Sequence, residues 1–115
     1  MTRPVGRPPR LTLIYLSGSR RDYATLSLDE QRAARAILDD LSRGAVTGKA
    51  LGERRVSGDL TGFLRVRFDV PGRHPQKLRL VYRLTGPNTA EVFAIGRRDD
   101  HEIYRLAADR LRGET

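Results

Sequence analysis

Residues 11 to 16 read Leu-Thr-Leu-Ile-Tyr-Leu, a short β-prone run closed by Ser17-Gly18, and this pattern predicts a first strand. Helical spacing follows it. Ser19 with Asp22 offers a weak helix start, and Ser27-Leu28-Asp29-Glu30 is a capping-box pattern that opens a stronger helix. Leu28, Ala34, Ile37, Leu38 and Leu41 are assigned to its apolar stripe, Arg32, Arg35, Asp39 and Asp40 to its polar side, and Gly44 to its stop. Residues 44 to 62 contain five glycines and little periodicity, which predicts a loop. Alternation then returns. Leu64, Val66, Phe68 and Val70 share one face of a strand over 63–70, with Arg65, Arg67 and Asp69 on the other. In a strand over 78–84, Leu78, Leu80, Tyr82 and Leu84 point inward and Arg79, Val81 and Arg83 outward, and residues 91–96 form a third, more uniformly apolar strand. Asp99 or Asp100 caps a last helix with Ile103, Leu106, Ala107 and Leu111 on its stripe, while Arg105 and Arg110 are read as solvated charges.

The expected fold is α+β, a single small domain of order β-α-α-β-β-β-α. It has an antiparallel sheet of about four strands, flanked by a helical hairpin and a carboxy-terminal helix, with one sheet face open to solvent. A length of 115 residues fits one core, placed at residues 11–112. Residues 1–10 hold three Pro and three Arg with little to bury, and are expected to form a flexible basic arm. Mean hydropathy is -0.52, and no apolar run approaches the roughly 18 to 20 residues that cross a bilayer. Pro4, Pro8 and Pro9 argue against a signal peptide, so a cytoplasmic location and no membrane partner are expected. There is no cysteine, which excludes disulfides and thiolate metal sites.

Charge changes the picture most. The chain carries 22 basic and 14 acidic residues for a net +8, and all the basic ones except Lys49 and Lys77 are Arg, whose planar fork matches phosphate oxygens. Arg65 and Arg67 project together, Arg79 reaches the same surface from the neighbouring strand, and Arg97 and Arg98 arrive at the end of the last strand beside the amino terminus of the final helix. His101 and Tyr104 lie at i and i+3 of that helix. Cations to stabilise a phosphorane and groups able to move protons are what metal-free RNA cleavage requires, and no residue set suggests a metal or another cofactor. Asp69 is the carboxylate that would neutralise the arginines in a purely structural reading.

The order of these residues resembles the RelE/ParE toxin superfamily of type II toxin-antitoxin systems, over Leu11 to Leu111. The specific part is residues 77–111: Arg79-Leu80-Val81-Tyr82, then Gly96-Arg97-Arg98, then Tyr104 six residues on. RelE-like members carry two alternating lysines on the preceding strand, where this chain has Arg65-Val66-Arg67. The resemblance implies a toxin that cuts messenger RNA in the ribosomal A site without metal, giving a 2′,3′-cyclic phosphate and a 5′-hydroxyl. In that reading Arg79 and Arg98 hold the scissile phosphate, Tyr104 stacks or moves a proton, Arg65 and Arg67 supply charge, and Arg97, His101 and Arg83 contact RNA. It also implies a cognate antitoxin, with operator DNA reached only through the antitoxin complex. Two alternatives stay open: a ParE-like inhibitor of DNA gyrase without nuclease activity, and a non-catalytic basic module that binds RNA or the ribosome.

Overall fold

A computed structural model describes residues 10–54, 58–72, 77–97 and 99–113 of the chain; the basic arm up to residue 9, most of the predicted 71–75 turn and Arg98 lie outside the described residues. The described elements are β1 (Thr12–Tyr15), α1 (Ser17–Thr25), α2 (Leu28–Arg43), β2 (Lys49–Arg54), β3 (Gly58–Phe68), β4 (Leu78–Gly86), β5 (Thr89–Gly96) and α3 (Asp100–Gly113). They build one sheet in the order β1-β5-β4-β3-β2, with β1 parallel to β5 and the other neighbours antiparallel. The α+β class is as expected, and the elements follow the expected order with one strand more after the helical hairpin. The sheet, however, is mixed and has five strands rather than four antiparallel ones, because β2 and the start of β3 occupy the stretch read as a loop. Glycine density and a register shift between Ala50 and Gly52 erase the alternation there.

Local chemistry sets the helix ends. Ser27 and Glu30 form both halves of a capping box, the Ser27 hydroxyl accepting from the Glu30 amide at 3.2 Å and the Glu30 carboxylate from the Ser27 amide at 2.9 Å. Gly44 ends α2 in the left-handed region at φ 80°, where a side chain would be strained. Ala33, Ala34, Leu38 and Leu41 of α2 pack on Val66, Phe68, Leu78, Leu80, Tyr82, Val92 and Ile95 to form the first core layer. Leu28 is not part of that stripe and is 63% exposed. At 3.6 residues per turn it falls in line with Gln31, Arg32 and Arg35, on the polar side.

The second sheet face is covered as well. Ile103, Tyr104, Ala107 and Ala108 of α3 pack on Leu51, Phe63, Val81, Phe93 and Ala94, with Phe63 and Phe93 edge to face at 4.8 Å. Val81, expected to point into solvent, is fully buried there, and Leu84, expected inward, is half exposed towards the end of β4. A register shift makes this layer possible: Val81 pairs with Ala94 and Tyr82 with Val92, so Phe93 is left over and joins Ala94 beneath α3.

Arg110 fastens α3 down. Its guanidinium grips both carboxylate oxygens of Asp22 in α1, at 2.6 and 3.0 Å, and donates to the Phe93 carbonyl at 2.7 Å. The same Asp22 carboxylate accepts from the Ile95 amide at 3.1 Å. Arg110 is therefore an anchor rather than a solvated charge, its side chain 15% exposed against 9% for Asp22. Gly18 makes room, since a Cβ there would sit 2.6 Å from the Arg110 Nε. We expect Asp22→Ala to leave a buried cation without its partner and to lower unfolding stability by about 3–5 kcal/mol, whereas Asp39→Ala, which opens an exposed pair with Arg43, costs under about 1 kcal/mol. Urea unfolding of the two variants checks the contrast. Equal losses would show that the buried pair contributes no more than a surface one.

Candidate nucleic-acid interface

β3 and β4 set the site. Arg65 lies directly opposite Val81 and Arg67 directly opposite Arg79, and residues opposed on antiparallel strands share a face. Arg65, Arg67 and Arg79 are thereby brought to the surface that α3 partly covers. Like charges set opposite each other are unfavourable, and the Arg79 guanidinium also donates to the Lys77 carbonyl at 3.3 Å. Asp69, the carboxylate expected to neutralise them, accepts from the Val70 amide at 2.9 Å just past the end of β3. Gly96 pairs with Arg79 on the far side and is itself buried, though a Cβ there would meet nothing within 4 Å among the described residues.

β2 adds a cation that alternation did not predict. Lys49 is the direct partner of Arg65 and is exposed, so the row Lys49, Arg65, Val81, Ala94 runs across four strands on one face. The Arg65 Nε is buried and has no hydrogen-bond partner among the described residues.

Arg83 and Arg97 have other engagements. Arg83 pairs with Glu91 at 2.7 Å, and its guanidinium lies over the rings of Phe63 and Phe93, at 5.5 and 5.1 Å. That is a brace for the second core layer. Arg97, just past β5, is ion-paired with Glu30, which is 5% exposed and already half of the α2 capping box. Burial pushes the Glu30 carboxyl up, but the Ser27 amide and the Arg97 guanidinium outweigh it and hold the carboxyl below its ordinary value.

Tyr104 is 2% exposed, its hydroxyl oxygen enclosed between α3 and the sheet. Its ring is packed in the second core layer and is not presented to solvent. The backbone of His101 lies in the first turn of α3, its side chain outside the described residues, as is Arg98 altogether. The amino terminus of α3 is capped by Asp99, whose carboxylate accepts from the Glu102 amide at 2.8 Å. No group of three or more His, Cys, Asp or Glu suited to a metal occurs among the described residues.

Against solved structures, the fold has counterparts. It is similar to an Arg-to-Ala double mutant of the Escherichia coli toxin RelE in the free state, with a TM-score of 0.57 at 17% identity over 89% of this chain and 98% of that one. The isolated E. coli RelE toxin gives 0.53 at 13% over the same shares. The toxin-antitoxin complex RelBE2 of Mycobacterium tuberculosis gives 0.54 at 23%, over 80% of this chain and 95% of the other. This chain has the RelE-like toxin fold. No family profile and no curated protein matches the sequence.

The Glu30 linkage carries a sign. A carboxyl held below its ordinary value contributes stability that is complete above that value, 4.5, and is lost as pH falls through the lower folded value. Glu30→Gln should therefore flatten this acid limb of the unfolding profile, and Glu30→Ala should cost a further ~1 kcal/mol or so through the lost cap. Chemical unfolding between acid and neutral pH reads both, and an unaltered acid limb in Glu30→Gln would show that the pair with Arg97 has no linkage.

Proposed function

We propose that this protein is the toxin of a toxin-antitoxin pair and a metal-independent endoribonuclease that cuts messenger RNA in the ribosomal A site. The observation that carries the reading is the register of Arg67 against Arg79, with Arg65 alongside, on one sheet face in a RelE-like fold. Two opposed guanidiniums offer a planar donor set to a phosphate, and their mutual repulsion eases as negative charge develops on a phosphorane. In the transesterification the 2′-oxygen attacks phosphorus and the bond to the 5′-oxygen breaks, so the cations act on the charge that appears in between. Arg98 is assigned to the same phosphate. Arg65 supplies charge at the edge, Arg97, His101 and Arg83 are secondary contacts, and Arg97 and Arg83 would have to share themselves with Glu30 and Glu91. Tyr104 shapes the wall, and stacking on a base would require α3 to tilt away.

The partner is a cognate antitoxin with an acidic or amphipathic segment that covers the cationic face, and operator DNA is contacted only through that complex. Burial of Tyr104 favours a second reading, in which the protein arrests growth by inhibiting another target such as DNA gyrase, without cutting RNA.

We expect induction of the chain in a bacterial host to stop growth and to place cuts at codon positions within translated messages. Arg79→Ala should relieve the arrest, with cleavage reduced about 10²–10³-fold and the circular dichroism spectrum retained. Primer extension on an abundant message reads the cuts. Arrest with intact messages would select the second reading. In the same assay Tyr104→Phe, which keeps the ring, should leave cutting near the wild-type level; a large loss would return proton transfer to the hydroxyl.

A further inference from the structure

We propose that Lys49 is the general acid of the cleavage, protonating the departing 5′-oxygen, an assignment that rests on the nuclease reading above. A guanidinium binds charge well but is a poor proton donor, and Tyr104 is buried between α3 and the sheet. Lys49 is of a different kind: its ammonium can release a proton and take one back, and it is exposed on the same face. Two observations fix that orientation besides its pairing with Arg65. A Cβ on Gly48 would meet Tyr82 at 2.9 Å and Leu64 at 3.0 Å, so Gly48 faces the α2 side and its successor faces the other. Leu51, two residues on, sits in the layer beneath α3. The backbone before Lys49 is pinned as well, because the Gly48 amide donates to the buried Tyr82 hydroxyl at 2.8 Å. Arg67 is a diagonal neighbour at about 7–8 Å between backbones, within the span of a four-carbon stem and a guanidinium reaching toward one phosphate.

The step balances within the reaction. As the 2′-oxygen bonds to phosphorus and the bond from phosphorus to the 5′-oxygen breaks, the Lys49 ammonium passes one proton to the 5′-oxygen. The proton of the 2′-hydroxyl goes to solvent water, and solvent reprotonates the Lys49 amine. The products are a 2′,3′-cyclic phosphate and a 5′-hydroxyl, with the protein unchanged.

The test is single-turnover cleavage of an A-site message carrying either the ordinary 5′-oxygen or a 5′-sulfur at the cut position, since a thiolate leaves without protonation. Lys49→Ala and Lys49→Arg should each slow the oxygen substrate about 10²–10⁴-fold and the sulfur substrate less than about 10-fold. The spectrum and unfolding midpoint should stay unchanged, as the residue is exposed. Equal losses on both substrates, or no loss on either, would overturn the assignment to Lys49 and leave the nuclease reading intact. Failure of the wild-type protein to cut either message would overturn both.

Discussion

β1 accompanies β5 only as far as the Tyr15–Val92 pair, and the rest of the β5 edge would be left with bare backbone groups were it not for Asp22 and Arg110. The carboxylate takes the Ile95 amide, the guanidinium takes the Phe93 carbonyl, and the two hold each other. One ion pair thus completes a sheet edge and joins α1 on one face to α3 on the other. Burying two charges is costly unless their remaining donors and acceptors are used. Here the backbone of β5 supplies those partners, and Gly18 supplies the space.

With α3 held in that position, the second face divides into two. Phe63, Val81, Phe93 and Ala94 lie under the helix, and Lys49, Arg65, Arg67 and Arg79 occupy the same face around them. Three further arginines are ion-paired in place: Arg83 with Glu91, Arg97 with Glu30, Arg110 with Asp22. These carboxylates brace the α3 layer and the helix ends, and register sets Arg67 directly opposite Arg79. The cationic face and the anchored helix are two results of one distribution of charge.

Much of this was legible from residue order. The capping box at Ser27 and Glu30 and the glycine stop at Gly44 are local chemistry, and both were read correctly. The alternation Arg65-Val66-Arg67 gave the right face for its arginines because β3 obeys period two. What escaped was non-local. The Asp22–Arg110 pair spans 88 residues, and nothing around either one marks its partner. β2 escaped because an irregular, glycine-containing edge strand has no alternation to detect, and Lys49 was lost with it. Coverage of the second face did leave a trace. Val81 between two arginines, and an apolar stripe on α3 that includes Tyr104 and Ala108, both call for a surface to bury against.

Magnitudes decide why such a face is tolerable. Like charges opposed across strands cost on the order of 0.2–1 kcal/mol for each pair. Burying a large apolar side chain contributes roughly 1.5–3 kcal/mol, and Phe63, Phe93, Ile103 and Tyr104 all lie beneath or within the α3 contact. The layer that α3 completes outweighs the Arg67–Arg79 repulsion several times over, so the cluster can persist in the free protein. A site whose cost is borne by distant packing can keep its geometry in the free protein, and the route of that packing leads through Arg110 back to Asp22.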